Sequence, residues 1–258
     1  MKKTLAFLLF LCCLVRADVL LQHPSSQKDF GEKSRVRVTE DGIARGADRL
    51  VPCLGKVEID PTARYRLSVE YKKAEDCQAP VANGMLSTLQ YDVRDRPIGG
   101  IQNGFLPGSE AKVLKSIVRG DKTLEIEPNA AWCDIIRKNL KRSFAVFLFA
   151  KRDFSDMPNF SFCWIKSQKL EDGKIILAAD NFPAVPEGSL VRLHINGWVG
   201  NGVELKATDQ WQTASGEIQG FSAKAHLRHW WKGAAKCSLA IYGKDILFRN
   251  LKLEKIEE

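Results

Sequence analysis

The sequence has little of what identifies a membrane protein or a metalloprotein. Its most hydrophobic stretch, residues 5–15, has only eleven residues, whereas a helix needs about 20 to span a bilayer. It contains no CxxC pair and no HExxH motif, which are common sequence signs of zinc sites. It also has no internal repeat, no low-complexity linker and no block of like charges. One compact domain is therefore the simplest organisation.

The first residues have the layout of a secretory signal peptide. Two lysines precede the apolar stretch, the segment closes on the small residue Ala17, and polar sequence begins at Asp18. We therefore predict cleavage after residue 17 and a secreted or periplasmic protein with no membrane anchor. Residues 18–34 are expected to be a loosely held lead-in, followed by a single domain over residues 35–258.

Removal of this segment changes the charge of the chain only modestly. It takes away three of the 39 basic residues and leaves 36 against 31 acidic ones, a formal charge of +5. This basic bias is compatible with a polysaccharide carrying negative charge. An exported protein has no obvious nucleic acid partner.

The cysteines that follow the signal peptide are odd in number and match no disulfide framework. They are Cys53, Cys77, Cys133, Cys163 and Cys237. Cys163 and Cys237 lie in strand-like apolar runs and are expected to be buried as small hydrophobic residues. Cys53 and Cys77 lie at the edges of predicted strands and form the first pair to test for a disulfide.

Alternation of apolar and polar residues dominates the chain and predicts antiparallel strands. It is clearest over residues 65–71, 89–93, 191–196 and 251–254. Residues 144–150 are continuously apolar and are expected to form a central strand covered on both faces. Turn residues separate these runs at short intervals. The predicted fold is all-β, an antiparallel β-sandwich of the jelly-roll type, with one short helix near residues 129–139 that Asn129 can cap.

Three clusters of polar residues are candidates for catalytic or metal sites. Glu125 and Glu127 share one strand face, a geometry that glycoside hydrolysis requires, but a solvated strand end is the simpler interpretation. His226 and His229 have no third ligand nearby in sequence and are expected at the surface. Asp153, Asp156 and Asn159 offer hard oxygen ligands for calcium, although such a loop also forms turns through local hydrogen bonds.

Aromatic residues give the more promising signal, since sugar rings stack on flat indole surfaces and their hydroxyls bind planar polar groups. Two adjacent tryptophans on a strand face opposite sides, so one of Trp230 and Trp231 is expected to be exposed. Trp132 and Trp164 are assigned to the core. The predicted ligand-binding groove consists of Trp198, Trp211, Trp230, Trp231, Arg192, His194 and Asn196.

Two strands resemble those of a known family. Residues 57–61 with the following segment 64–72 resemble the early strand of galactose-binding-like jelly-roll modules, and residues 245–253 resemble their closing strand. Many carbohydrate-binding modules of secreted bacterial glycan-degrading systems belong to this group. The resemblance implies a jelly roll over roughly residues 35–255. Arg249 stands where the closing strand of the family usually has the aspartate of a structural calcium site.

The leading hypothesis is a secreted, noncatalytic β-sandwich that binds a polysaccharide or glycan without a cofactor. The first alternative is a jelly-roll enzyme, a hydrolase or lyase, that acts on glycans through Glu125, Glu127, His226 and His229. The second is a structural or interaction protein of the cell envelope, whose exposed apolar surface binds another protein.

Overall fold

The computed structural model describes residues 17–23, 26–31, 34–139, 144–195, 201–222 and 229–256. Strands account for most of the regular structure in these residues, and neighbouring strands are antiparallel except in one two-stranded pair. The predicted all-β sandwich class is therefore confirmed. No helix in the described ranges is long and apolar enough to span a membrane.

The strands, in chain order, are β1 (Ala17–His23), β2 (Arg37–Val38), β3 (Ala44–Arg45), β4 (Val51–Pro52), β5 (Val57–Glu58), β6 (Arg64–Lys73), β7 (Ala82–Tyr91), β8 (Pro97–Ile98), β9 (Ala111–Lys112), β10 (Thr123–Ile126), β11 (Phe144–Leu148), β12 (Phe162–Ile165), β13 (Ser167–Glu171), β14 (Lys174–Ala178), β15 (Leu190–Ile195), β16 (Asn201–Ala207), β17 (Gln212–Gln219), β18 (Phe221–Ser222), β19 (Trp230–Trp231), β20 (Lys236–Tyr242) and β21 (Ile246–Ile256). The helices are α1 (Gly100–Asn103) and α2 (Ala130–Lys138), and a 3₁₀ turn covers Gln27–Phe30.

Two facing sheets enclose the larger hydrophobic core. Sheet A has the strand order β17-β6-β21-β3-β2, with β1 also paired to β21. Sheet B has the order β16-β7-β20-β4, with β5 on β20 and β8 on β7. Strand β6 shows how each sheet contributes one face to this core. Its odd-numbered residues from Tyr65 to Tyr71 are buried between the sheets, and its even-numbered residues face outward. This core joins residues from both ends of the chain.

A second hydrophobic core lies within residues 105–195. Sheet C (β12-β11-β15-β9) and sheet D (β10-β14-β13) supply its apolar side chains, together with helix α2. The single β-sandwich predicted over residues 35–258 is thus two sandwiches, the second inserted between β8 and β16 of the first. Alternation shows that one face of a strand is buried, but it does not show which sheet covers that face.

The described parts of residues 18–34 are held more firmly than the sequence predicted. β1 pairs antiparallel with β21 from Ala17 opposite Ile256 to His23 opposite Leu251. Phe30 is only 5% exposed and belongs to the first core. The prediction of a loosely held lead-in was wrong because the last strand of the chain provides a pairing edge that the local sequence does not show.

The predicted helix is confirmed. Asn129 caps α2, since its side-chain oxygen accepts a hydrogen bond from the backbone N–H of Trp132 at 3.1 Å. Trp132 is buried, and its indole N–H donates to the backbone oxygen of Ser109 at 2.8 Å. The core assignment of Trp132 is correct, and its side chain attaches α2 to the second sandwich.

All five cysteines after residue 17 are free thiols. Cys53, proposed as a disulfide partner of Cys77, is instead buried in the first core. Cys237 is buried as predicted, and this burial raises the pKa of its thiol to about 12. Cys163 is partly buried and packs against the second core.

The loop between β11 and β12 connects the two sandwiches. Phe160 packs against the first core, and the Arg96 guanidinium lies 3.9 Å from the centre of its ring. Pro158 lies directly against Gly233, so that a Cβ atom on Gly233 would overlap the proline ring. Gly233 also has φ +79°, which a residue with a side chain adopts only with strain.

Replacing Gly233 by alanine should therefore destabilise the protein by about 2 kcal/mol or more, combining backbone strain with displacement of Pro158. Gly188→Ala is a matched control, because Gly188 has φ +77° but open space around its Cα. The free energies of unfolding of both variants, measured in urea, separate the two contributions. Equal losses in the two variants would show that the contact with Pro158 has no energetic importance.

Candidate functional site

The described residues of the predicted groove do not lie together in the structure. Trp198, Asn196 and His226 lie outside the described residues. Trp211 belongs to the edge of sheet A, whereas Arg192 and His194 belong to sheet C of the second sandwich. The indole ring of Trp211 contacts side chains of sheet A.

Arg192 and His194 are fully buried, so they were wrongly predicted to line an open groove. The guanidinium of Arg192 forms an ion pair with Asp156 at 2.8 Å. Its Nε–H donates to Nε2 of His194 at 3.0 Å, and Nδ1 of His194 lies 2.6 Å from the backbone oxygen of Ile101. His194 is therefore a neutral imidazole that carries its proton on Nδ1.

The electrostatics of this buried network fix its protonation states. Burial, together with the neighbouring Arg192 charge, lowers the pKa of His194 to about 3, although the hydrogen bond to Ile101 acts in the opposite direction. Burial alone would raise the pKa of Asp156, but hydrogen bonds from Arg192 and Asn159 outweigh it and lower that pKa. The network has a structural role: it holds the loop of residues 151–160 on sheet C.

The same contacts correct the calcium hypothesis. The carboxylate of Asp156 accepts hydrogen bonds from Arg192, from the Asn159 amide and from the backbone N–H of Lys151. The side-chain oxygen of Asn159 accepts from Ser161, and Asp153 accepts from Ser155. Protein donors thus bind at least one side-chain oxygen of each residue predicted to bind calcium. No cluster of three His, Cys, Asp or Glu residues suitable for a metal occurs in the described part of the chain.

Trp230 and Trp231 are both buried, which overturns the prediction that one of them is exposed. Trp230 packs edge-to-face on Tyr65 with ring centres 5.2 Å apart. The backbone N–H of Trp231 donates to the side-chain oxygen of Gln90 at 2.8 Å. The alternation rule fails because β19 is two residues long and lies within the first core rather than on a half-exposed sheet.

The described residues of the enzyme hypothesis are divided between the two sandwiches. The carboxylate of Glu125 accepts a hydrogen bond from Lys174 at 2.8 Å, on sheet D of the second sandwich. His229 precedes β19 in the first sandwich. Glu127 lies beyond the end of β10 and is exposed.

The outer face of sheet A is the most organised polar surface near a predicted ligand-binding residue. Strand β6 contributes Arg64, Arg66, Ser68, Glu70 and Lys72 to this face. The register aligns these residues in rows with outward residues of β17 and β21. The rows are Thr213–Glu70–Arg249, Ser215–Ser68–Lys252 and Glu217–Arg66–Glu254. Short serine side chains in the middle row leave a shallow trough between two charged rows.

Trp211 lies at one end of this face and is partly exposed. The guanidinium carbon of Arg249 is 4.1 Å from the centre of its indole ring, and the ammonium of Lys72 is 5.5 Å away. These cation–π contacts hold the indole against the sheet.

A β-bulge in β21 organises the polar groups beside Trp211. The register shifts between Arg249 and Lys252, and Asn250 adopts φ +52°. As a result, consecutive residues reach the same carboxylate: Arg249 Nε and Asn250 Nδ2 donate to the two oxygens of Glu70 at 2.7 and 2.8 Å. Hydrogen bonds from Asn250 and Arg249 lower the pKa of Glu70. Three planar polar groups are thereby fixed next to an indole.

On the opposite side of the trough, the carboxylate of Glu217 holds two arginine side chains in place. Glu217 accepts hydrogen bonds from Arg64 at 2.7 Å and from Arg66 at 3.5 Å, and these contacts lower its pKa. A groove of about 500 Å³ begins here and runs between the edges of β16 and β17. Gly216 contributes to its width, because a Cβ at this position would lie 2.8 Å from the Val203 side chain.

Trp164 is a surface residue that was not predicted from the sequence. It is 46% exposed, so its assignment to the core was wrong. β12 is the edge strand of sheet C, with Cys163 and Ile165 packed against the second core and Phe162 and Trp164 on the other face. The aromatic run suggested a buried strand, although only alternate positions of this strand contact the core.

Glu70, Arg66 and Ser68 were also missed as residues of the candidate site, although the sequence contains a signal for them. The alternating pattern of residues 65–71 identifies the buried face of the strand, and the polar residues between the buried ones form the candidate site.

Comparisons of the chain with protein-family models, curated protein sequences and solved structures find no match.

Proposed function

We propose that this protein is an exported, noncatalytic carbohydrate-binding protein, and that its glycan lies across the outer face of sheet A. The observation that carries the proposal is the indole of Trp211 beside the fixed planar groups of Arg249, Asn250 and Glu70. An indole offers a surface for the CH face of a sugar ring, and the planar groups offer directed partners for its hydroxyls.

The carboxylates on this face favour binding over hydrolysis. Glycosidases commonly need one carboxyl group that stays protonated near neutral pH, which requires a raised pKa. Hydrogen bonds from cationic or amide donors instead lower the pKa of both Glu70 and Glu217. Both groups are therefore ionised acceptors, suited to bind hydroxyl groups rather than to donate a proton to a glycosidic oxygen.

Truncation of the stacking ring gives the direct test. Trp211→Ala should weaken glycan binding by about 1 to 3 kcal/mol, roughly 5- to 150-fold in Kd, because the ring–sugar contact is lost. A glycan array on the protein without residues 1–17 identifies the ligand, and isothermal titration calorimetry then measures Kd.

Trp164→Ala is the matched control, since it removes an exposed tryptophan from the other sandwich. It should leave Kd unchanged. Equal affinity in Trp211→Ala and the unmodified protein would refute this site, and release of reducing sugar from the bound glycan would refute the noncatalytic assignment.

A further inference from the structure

We infer that the glycan is anionic, an acidic polysaccharide whose carboxylate or sulfate groups are bound by Lys252 and Arg66. This inference rests on the carbohydrate-binding function proposed above and specifies its ligand class. It is carried by the distribution of charge over the outer face of sheet A.

Cations outnumber carboxylates among the residues of the three rows and their neighbours on β6. The cationic residues are Arg64, Arg66, Lys72, Arg249 and Lys252, and the carboxylates are Glu70, Glu217 and Glu254. Arg66 shares the carboxylate of Glu217 with Arg64, and its own contact is the longer of the two. Glu254 lies opposite Arg66 on β21, so the charges of this side balance once Arg64 is counted. In the described ranges Arg66 makes only the long contact with Glu217, and most of its N–H donors remain available to a ligand.

Lys252 supplies the second part of the argument. It lies in the serine row, where its sheet neighbour is Ser68 and the next residue across is Ser215. Its ammonium group makes no hydrogen bond or ion pair with any residue in the described ranges. Of the two nearest carboxylates in the pattern, Glu70 already accepts hydrogen bonds from Arg249 and Asn250. The other, Glu254, lies two positions along β21 and makes no hydrogen bond or ion pair with Lys252. The ammonium therefore stands over the trough with its hydrogen-bonding capacity unused.

The arrangement suits a sugar that bears an anion better than a neutral sugar. Serine hydroxyls on the trough floor can bind ring hydroxyls. The cations of Lys252 and Arg66, in adjacent rows, can bind an oxyanion by charge-assisted hydrogen bonds. Because the face is exposed to solvent, these contacts are screened by salt.

The test uses polysaccharides that differ only in charge. Dextran and dextran sulfate form one pair, and methyl-esterified and de-esterified polygalacturonate form the other. We expect Kd for each charged member to be about tenfold lower than for its neutral counterpart, as two screened ion pairs would give. The difference should shrink when NaCl is raised from about 50 to about 500 mM. The stronger of the two charged ligands distinguishes sulfate from carboxylate recognition.

Substitutions then test whether Lys252 is responsible for the preference for the charged polysaccharide. Lys252→Gln should weaken binding of the charged polysaccharide roughly three- to fivefold, and Lys252→Glu should weaken it further. Both should weaken binding of the neutral counterpart less than binding of the charged polysaccharide. Lys115→Gln is the control, because Lys115 is an exposed lysine of the second sandwich. It should change neither affinity.

Each remaining outcome has a distinct meaning. Equal binding of charged and neutral polysaccharides would overturn the anionic ligand while leaving carbohydrate binding intact. Absence of binding to all four polysaccharides and to the glycan array would overturn both proposals. Equal binding of poly-glutamate and the charged polysaccharides would show a general affinity for polyanions and overturn the glycan assignment.

Discussion

Replacing Arg192 by methionine should lower the free energy of unfolding by about 3 to 5 kcal/mol. The side chain of Arg192 is fully buried, and that of its partner Asp156 is 6% exposed. Methionine fills a similar volume but leaves an ionised carboxylate in a nonpolar environment without its counter-charge. The loss should appear as a lower midpoint of urea denaturation monitored by tryptophan fluorescence.

The double variant Arg192→Met, Asp156→Asn tests this cause. It removes the unpaired charge while keeping an acceptor for the backbone N–H of Lys151, and it should recover about 2 kcal/mol of the loss. A double variant as unstable as the single one would mean that lost packing, rather than a buried charge, explains the effect.

The free energy of unfolding should also fall by about 1.4 kcal/mol for each pH unit between pH 6 and pH 4. In the folded protein His194 has a pKa of about 3 and stays neutral over this range. In the unfolded chain its pKa is near 6.5, so the unfolded state takes up a proton that the folded state does not. Acid therefore favours unfolding. Below about pH 4, protonation of carboxylates with lowered pKa values, including Asp156, adds to the loss.

His194→Gln isolates this effect. A glutamine oxygen can accept from Arg192 and its amide can donate to Ile101, as the two imidazole nitrogens do, but glutamine does not titrate. Urea denaturation at half-unit pH intervals should show a flatter dependence in the variant between pH 6 and pH 4. An identical slope in the two proteins would contradict the buried neutral state of His194.

The individual elements were more predictable than their assembly. The apolar periodicity of residues 65–71 and 251–254 and the capping of residues 129–139 all correspond to elements in the structure. The division into two cores was not predicted, because it depends on which sheets face each other. Pairing of β1 with β21 joins residues more than 200 positions apart and has no local signature.

The candidate site was predictable only in part. Trp211 was proposed from its residue type and the polar residues before it, whereas Glu70 and Arg249 form an ion pair across 179 positions of sequence. Residues 191–195 show the converse error. Their alternation correctly separates an apolar face from a polar one. The polar face is nevertheless buried under the loop of residues 151–160, and the charge of Arg192 is paired with Asp156 instead of being solvated by water. Alternation distinguishes the chemistry of two faces and does not measure their exposure.

The placement of β21 determines when the outer face of sheet A can exist during synthesis. This strand comes from the last described residues, yet in the sheet it lies between β6 on one side and β1 and β3 on the other. The seven described strands of the second sandwich, in contrast, all come from residues 111–195. The ribosome has therefore delivered a complete inserted sandwich long before sheet A can close. Trp211 and Arg249 become neighbours only after the chain has been made as far as β21.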